Sequence, residues 1–107
     1  MTDIPRIDAT DPFYIPDGHW IDGLDREVWV KDGKYHRTDG PAAIEPNGVQ
    51  LWLQHNKWHR TDGPASVHPN AISQWWLNDI PYTFEDWLEA NDEITDSQKV
   101  LLKLKYG

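Results

Sequence analysis

The chain has 107 residues, no cysteine, seven tryptophans and a formal net charge of −8 at pH 7. This length fits one small domain with a modest core. The lack of cysteine excludes disulfides, thiol catalysis and thiolate metal ligands. The excess of acid argues against direct binding to nucleic acid or to anionic membranes, because both attract clustered Lys and Arg.

The first residues, MTDIPRIDATDPFYI, lack the basic and apolar segments of a secretory signal. No apolar run in the sequence approaches the length that spans a membrane. We therefore expect a soluble, cytoplasmic protein with a single domain over residues 1–107.

The middle of the chain repeats itself with a period of 23 residues. The stretch KYHRTDGPAAI at 34–44 returns as KWHRTDGPASV at 57–67, and HRTDGPA is identical in both copies. A worn copy, PDGHWIDGLDREVW, precedes them at 16–29, and WWLNDIPYT begins a further copy that stops. Atypical end copies are expected of a repeat array.

Short runs typical of β-strands alternate with turn signals in each copy. Asp32-Gly33 separates two such runs, and both positions accept positive φ, which favours a hairpin. Pro46-Asn47-Gly48 marks the next turn. The predicted strands lie near 19–21, 27–31, 34–37, 42–45, 49–54, 57–60, 65–68 and 72–77.

Two helices are predicted after the strands. Thr83 to Asp86 forms a weak capping box and Thr95 to Gln98 a proper one. Phe84, Trp87 and Leu88 share one face of the first helix, and the second carries Val100, Leu101 and Leu104 on one face. We expect both helices to fold back over the last exposed edge or face of the sheet.

The predicted fold is mainly β with a helical C-terminus. It is a meandering antiparallel sheet of 23-residue β-hairpin repeats that two short helices cap. The parts are a degenerate first repeat at about 12–26, two and a half β repeats at 27–80, and a helical cap at 81–107.

The repeat resembles the MORN repeat, and more closely the units "W…NGK.HR.DGPA" that we associate with proteins of bacteriophages and large DNA viruses. The tail, YTFEDWLEANDEITDSQKVLLKLKYG, is similar to the short helical ending of such phage proteins. The resemblance covers roughly residues 12–107. It implies an elongated antiparallel sheet that acts as a non-catalytic binding or dimerising scaffold, in the cytoplasm of an infected bacterium.

The HRTDGPA motif invites a chemical interpretation, because its His and Asp are possible metal ligands or acid–base pairs. The motif occurs twice, however, and each residue type has a structural use. Asp-Gly makes a turn, Pro fixes φ, and Arg pairs with Asp or stacks on an aromatic ring. We assign a structural role in the repeat to His36, Arg37, Asp39, Gly40, Pro41, His59, Arg60, Asp62, Gly63 and Pro64. We expect no catalytic residue, metal site or cofactor, and a small metal-dependent enzyme is the least favoured hypothesis.

Trp29, Trp52 and Trp75 recur at the spacing of the repeat, and we predict that this row stacks on one side of the sheet and fills the core. The adjacent Trp75 and Trp76 must face opposite sides of a strand. One of the two therefore meets the helices or a partner. Exposed aromatic rows also bind sugars, so the alternative function is a carbohydrate- or cell-envelope-binding module.

Residues 79–96 contain seven acids and no base. This segment is either a solvated helix face or a surface that imitates nucleic acid and docks a basic partner. The candidate partner-binding residues combine aromatic anchors with these acids: Trp58, Trp76, Tyr82, Glu85, Asp86, Trp87 and Glu89.

The leading hypothesis is a non-catalytic protein-binding module of bacteriophage type. It would bind and inhibit a host protein, such as a nucleic-acid-binding protein or a component of bacterial defence. A homodimer formed through a free sheet edge is a further option that the repeat leaves open.

Overall fold

The computed structural model describes residues 4–7 and 16–107, so residues 12–15 of the degenerate first repeat lie outside the described part. The strands are β1 Gly18–Ile21, β2 Glu27–Lys31, β3 Lys34–Tyr35, β4 Ala43–Ile44, β5 Gln50–Leu51, β6 Leu53–Gln54, β7 Lys57–Trp58, β8 Ser66–Val67, β9 Trp75–Leu77 and β10 Ile80–Tyr82. The helices are α1 Phe84–Ala90 and α2 Asp96–Tyr106. The fold is therefore mainly β with two C-terminal helices, as the sequence predicts. Within the described residues, neither helix has the length and apolar character needed to cross a bilayer.

The strands divide between three antiparallel sheets. The largest has the order β1-β2-β4-β5-β8, with β3 also paired to β2, and β6–β7 and β9–β10 are separate hairpins. The strand predicted over 49–54 is interrupted at Trp52, whose N–H donates to Ala65 O at 2.7 Å. The carbonyl of the same residue accepts from His59 N–H at 3.0 Å. Trp52 therefore bonds to two different segments of the chain, one through its N–H and one through its carbonyl. At the other end of the chain, Ile21 N–H donates to Pro5 O at 2.9 Å, which places the segment 4–7 against β1.

Successive hairpins close with the same kind of turn. Two consecutive residues have positive φ at Asp32-Gly33 (53° and 74°), at His55-Asn56 (52° and 64°) and at Asn78-Asp79 (48° and 71°). Paired positive φ values define the type I′ turn, whose twist matches that of the strands. The sequence predicted the first turn from its glycine. The other two use His, Asn and Asp, the non-glycine residues that best tolerate this region, and the last of them closes β10, a strand that the sequence did not predict.

Backbone hydrogen bonds join each hairpin to the next one. Asn56 N–H donates to Tyr35 O at 3.0 Å, and Asp79 N–H donates to Trp58 O at 2.8 Å. The side chains of these two turn residues accept hydrogen bonds in return. Asn56 Oδ1 accepts from Tyr35 N–H at 2.7 Å, and Asp79 Oδ1 accepts from Trp58 N–H at 3.2 Å. Each hairpin therefore satisfies the outer edge of the hairpin before it, at the spacing of the repeat.

The arginine of each HRTDGPA copy covers a tryptophan. The Arg37 Cζ lies 3.9 Å from the centroid of a Trp29 ring, and Arg60 Cζ lies 3.8 Å from that of a Trp52 ring. Both tryptophans are half-buried and lie outside the two buried apolar clusters. The prediction that this row fills the core is therefore wrong for Trp29 and Trp52, because they point away from the side of the strands that packs inward.

The rest of the motif holds the guanidinium in place. Arg37 Nε donates to Asp39 Oδ1 at 3.0 Å and its Nη1 donates to Pro41 O at 3.2 Å. The second copy repeats these two contacts at 2.7 Å and 3.0 Å. A Cβ at Gly40 would lie 2.5 Å from Arg37 Cζ, and one at Gly63 would lie 2.6 Å from the matching atom. Neither glycine has positive φ, so glycine is required by the close approach of the guanidinium.

The core consists of two small clusters. Val28, Val30 and Ala43 form the first, with Trp20, Tyr35 and Leu51 packed against it. Leu77, Trp87 and Leu88 form the second, which Trp75, Tyr82, Phe84, Ile94 and Leu102 surround. The first cluster belongs to the large sheet, and the second joins the last hairpin to the helices.

Both helices begin at the predicted caps. Thr83 Oγ1 accepts from Asp86 N–H at 3.2 Å, and Thr95 and Gln98 form the reciprocal capping box. The buried face of α1 is the predicted one, since Trp87 and Leu88 are buried. The apolar face that the sequence indicates for α2 is largely exposed, since Val100, Leu101 and Leu104 are 55%, 65% and 78% exposed. Leu102 and Tyr106 contact the protein instead.

The role of the guanidinium predicts the effect of Gly63→Ala. The new Cβ displaces Arg60 from Trp52, Asp62 and Pro64 O, so we expect the free energy of unfolding to fall by about 1–2 kcal/mol. Urea denaturation measures the change. In an Arg60→Ala background the same substitution should have almost no effect.

The matched control is Gly23→Ala, because no atom lies within 4 Å of a Cβ at Gly23. We expect its effect to stay within about 0.5 kcal/mol. Equal losses for the two variants would contradict the close approach of Arg60 as the reason for glycine.

Candidate functional site

The last hairpin is more apolar than the two before it. At the spacing of the repeat, Lys34 and Lys57 are replaced by Ile80, which is 54% exposed. In the same way the histidines of HRTDGPA are replaced by Tyr82 and the threonines by Phe84. The hairpin that ends the array therefore presents apolar side chains where the earlier hairpins present polar ones.

An apolar groove of about 540 Å³ lies at this end of the array. We call it the terminal groove, and its lining consists of Ile72, Ser73, Gln74, Trp75, Trp76, Pro81, Tyr82, Thr83 and Phe84. Ile72 is 90% exposed, and Pro81 is exposed as well. An exposed apolar surface in a concave setting is typical of a site that binds another molecule.

Pro81 makes the outer edge of β10 different from the edges of the preceding hairpins. Tyr35 and Trp58, at the equivalent positions, each donate their backbone N–H to the next hairpin. Proline has no N–H to donate. A proline on an edge strand also discourages pairing with another strand. The terminal groove therefore offers side chains to a partner more readily than it offers a backbone ladder.

Aromatic rings form one wall of the terminal groove. The Trp75 ring centroid lies 4.7 Å from that of Phe84, 4.6 Å from that of Trp87 and 4.9 Å from that of Tyr106, which meets it edge-on. Thr83 takes the place of the repeat arginine at this position. The third tryptophan of the row is thus covered by rings from the helices and not by a guanidinium.

Trp76 points to the other side of β9, as strand alternation predicts. Its ring stacks on Trp58 at a centroid distance of 5.7 Å and an angle of 26° between the planes. Its indole N–H is buried and has no hydrogen-bond partner within the described residues. The stack on Trp58 fixes the Trp76 ring in this position.

The structure brings five of the predicted partner-binding residues to or next to this end of the array. Trp76 and Tyr82 line the terminal groove. Glu85 and Asp86 follow its last lining residue, Phe84, in the first turn of α1, and both are exposed. Trp58 supports the groove from behind through its stack on Trp76.

The prediction that Trp87 contacts a partner is wrong. Its side chain is 0% exposed, and its Nε1 donates to Arg60 O at 3.1 Å. The buried Asn91 likewise donates from Nδ2 to Thr61 O at 2.9 Å. These two side chains fasten α1 to the second HRTDGPA copy, which explains why Trp87 is internal.

Glu89 is exposed but does not line the terminal groove. It borders a separate hollow together with Glu85, Leu88, Lys99 and Lys103. Ile72 and Pro81 were not among the residues predicted from the sequence. A comparison of the last hairpin with its predecessors at the period of the repeat would have indicated Pro81, because it replaces residues that donate an N–H.

The HRTDGPA histidines act as hydrogen-bond acceptors. His36 Nδ1 accepts from His55 N–H at 3.1 Å, and His59 Nδ1 accepts from Asn78 N–H at 3.1 Å. Burial lowers the pKa of both histidines, and for His36 the neighbouring His55 and Lys31 lower the pKa further. The neutral ring is the form that can accept, so the fold favours it.

The aspartates of the motif are engaged by their arginines. The hydrogen bond from Arg37 lowers the pKa of Asp39, and Asp62 pairs with Arg60 at 2.7 Å. Within residues 4–7 and 16–107, no three His, Asp or Glu side chains come together in a way that would hold a metal ion. The His and Asp of HRTDGPA thus face separate structural partners.

The lowered histidine pKa values predict a pH-dependent stability. Because the folded pKa lies below the ordinary value of about 6.5, this contribution is complete above that pH and is lost as pH falls below it. We expect the double variant His36→Asn, His59→Asn to lose less free energy of unfolding between pH 7.5 and pH 5 than the wild type. Asn supplies an uncharged acceptor in place of Nδ1.

Urea denaturation of both proteins at the two pH values measures this difference. Comparing the change in free energy of unfolding between the two pH values removes the contribution of the other titrating groups, which both proteins share. An identical pH dependence in the variant would show that these histidines are not held neutral by the fold.

Comparisons with protein-family models, with curated proteins and with solved structures find no match to this chain. The resemblance to phage-type MORN-like repeats therefore stays a prediction from the sequence. The inference of function rests on the chain itself, and the terminal groove with its acidic neighbours is the surface that supports one best.

Proposed function

We propose that this protein is a non-catalytic protein-binding module that holds its target in the terminal groove. The observation that carries the proposal is the exposed apolar surface of Ile72 and Pro81 beside the aromatic wall. In the first two hairpins the next unit contacts the outer edge. At the last hairpin a second protein takes that role.

The groove suits an apolar side chain of the target. Trp76, Tyr82 and Phe84 are half-buried and are held by stacking or packing within the protein. Aromatic side chains fixed in this way lose little entropy on binding and dominate the energy of many interfaces. The target therefore packs one or more apolar residues against the exposed surface of Ile72 and Pro81, beside Phe84.

Acidic residues define the surroundings of the groove. Glu85 and Asp86 are exposed and are in no ion pair with any described residue. They belong to the acidic segment 79–96. Complementary charge speeds association and selects partners, so the target carries basic residues next to its apolar ones.

The target class follows from the resemblance and the charge together. A basic surface is the usual property of proteins that bind nucleic acid, and an acidic ligand competes for such a surface. Our proposal is that the protein acts in the cytoplasm of a bacterial host and inhibits a host protein with a basic surface, for example a defence component.

A sugar-binding function has less support from the geometry. Arginines cover Trp29 and Trp52, and rings of the two helices surround Trp75. Sugar rings stack on free aromatic faces, and the regular row of tryptophans does not offer them. We therefore favour a protein target.

The test compares three immobilised baits in a bacterial lysate: the wild type, Ile72→Asp and Leu24→Asp. Ile72 is 90% exposed and Leu24 is 69% exposed, so neither change disturbs the core. We expect one stoichiometric protein that the wild type and Leu24→Asp retain and that Ile72→Asp loses. With the purified target, Ile72→Asp should weaken binding by about tenfold or more.

Equal retention by all three baits would contradict the terminal groove as the binding surface. The acidic contribution is measured with the purified target and the variant Glu85→Gln, Asp86→Asn. Its association rate should be lower than that of the wild type at low salt and less sensitive to added salt. The charge-matched control is Asp32→Asn, Glu45→Gln, because neither acid is in an ion pair with a described residue and neither lines the terminal groove; it should leave the rate unchanged.

A further inference from the structure

Helix α2 has an apolar stripe that is largely exposed, and its residue Leu101 also borders a small hollow with Asp62 and Ile94. Val100, Leu101 and Leu104 are 55%, 65% and 78% exposed. At about 100° per residue they occupy one side of the helix. Leu102 and Tyr106 lie on the other side and hold α2 against the second core cluster and Trp75. The stripe is therefore not needed to attach α2.

The charges at the two ends of α2 complement those of a second, reversed copy, while Lys99 borders the hollow that Glu85 and Glu89 line. Asp96 lies in the first turn, and Lys103 and Lys105 lie in the last turn. A second α2 that runs antiparallel to the first brings its lysines next to Asp96, at both ends of the contact. A parallel arrangement would bring like charges together.

We propose that α2 is a self-association surface, on which Val100, Leu101 and Leu104 pack against the same stripe of a second copy in antiparallel orientation. The arrangement has two-fold symmetry, so one self-complementary patch suffices. The centre of the contact pairs Val100 of each copy with Leu101 of the other.

The sheet edges are less suited to this role. The segment 4–7 is paired with Ile21 at the first edge, through hydrogen bonds of 2.9 Å and 3.0 Å. At the other end, Pro81 removes the N–H that joins earlier hairpins to their neighbours. Because both edges are obstructed, the exposed stripe of α2 is the better place for a second copy to bind than the sheet edge considered from the sequence.

The contact is small, and this sets the strength of the dimer. Helix α2 has 11 residues, so two such helices bury less than the roughly 1,200 Å² of a standard interface. We therefore expect a weak, reversible dimer with a Kd on the order of 0.1–1 mM. The inward side of α2 borders the aromatic wall, so pairing through the outward stripe leaves both terminal grooves open.

The experiment measures molecular mass by sedimentation equilibrium at concentrations up to about 1 mM, chosen to span that range. The wild type and Leu24→Glu should show the mass of a dimer at high concentration, and Leu104→Glu should stay monomeric. Helical circular dichroism verifies that each variant is folded. A wild type that stays monomeric, or a Leu104→Glu variant that still dimerises, would overturn the proposal.

A charge exchange tests the orientation and does not depend on Leu104. The variants Asp96→Lys and Lys103→Glu, Lys105→Glu should each stay largely monomeric up to about 1 mM, because like charges meet. Their mixture should form a heterodimer at least as tight as the wild-type dimer, because every charge then meets its opposite. Failure of the mixture to associate would exclude the antiparallel contact.

Discussion

Each hairpin of this protein depends on the next one for its hydrogen-bond partners. The outer strand of a hairpin offers backbone N–H and C=O groups that must be satisfied, and at Tyr35 and Trp58 the following turn satisfies both. An array built in this way cannot simply stop, because its last edge would remain open to any other strand. Pro81 removes one backbone donor from this edge. Trp87 and Asn91 bind the carbonyls of Arg60 and Thr61 and so hold the helices against the second HRTDGPA copy. The terminal groove lies beside the last hairpin, where no further hairpin packs. The candidate site is thus a consequence of how the array ends.

Much of the fold follows from local rules that the sequence displays. The Asp32-Gly33 turn and the two helix caps depend on residues within a few positions of each other, and the structure has them where they were predicted. Strand ends and the split of 49–54 depend on which neighbour each backbone group bonds, which no local pattern reveals. Helix α2 has apolar residues on two sides, so its periodicity alone does not tell which side meets the protein. Tertiary contacts of Tyr106 with the aromatic wall decide that question.

The candidate site was predictable only in part, for a related reason. Trp76 and Tyr82 stand out in the sequence as aromatic residues of an incomplete copy, and both line the groove. Trp87 is an aromatic residue of the same region and is buried. The sequence does not separate the two cases, because a large apolar ring stabilises a core and an interface by the same physical effect. Ile72 carries no chemical signal of its own. Its importance comes from its 90% exposure, which only the three-dimensional structure gives.

Amide hydrogen exchange followed by NMR tests most directly whether the array ends at an unpaired edge. Arg60 N–H donates to Trp76 O at 3.3 Å, a bond supplied by the following hairpin. Thr83 holds the equivalent position in the last hairpin, where no hairpin follows. We predict that the Arg60 amide exchanges slowly and that the Thr83 amide exchanges at a rate close to that of an unstructured chain. A Thr83 amide as strongly protected as that of Arg60 would show that the last edge is already satisfied, and the account of the terminal groove would be contradicted.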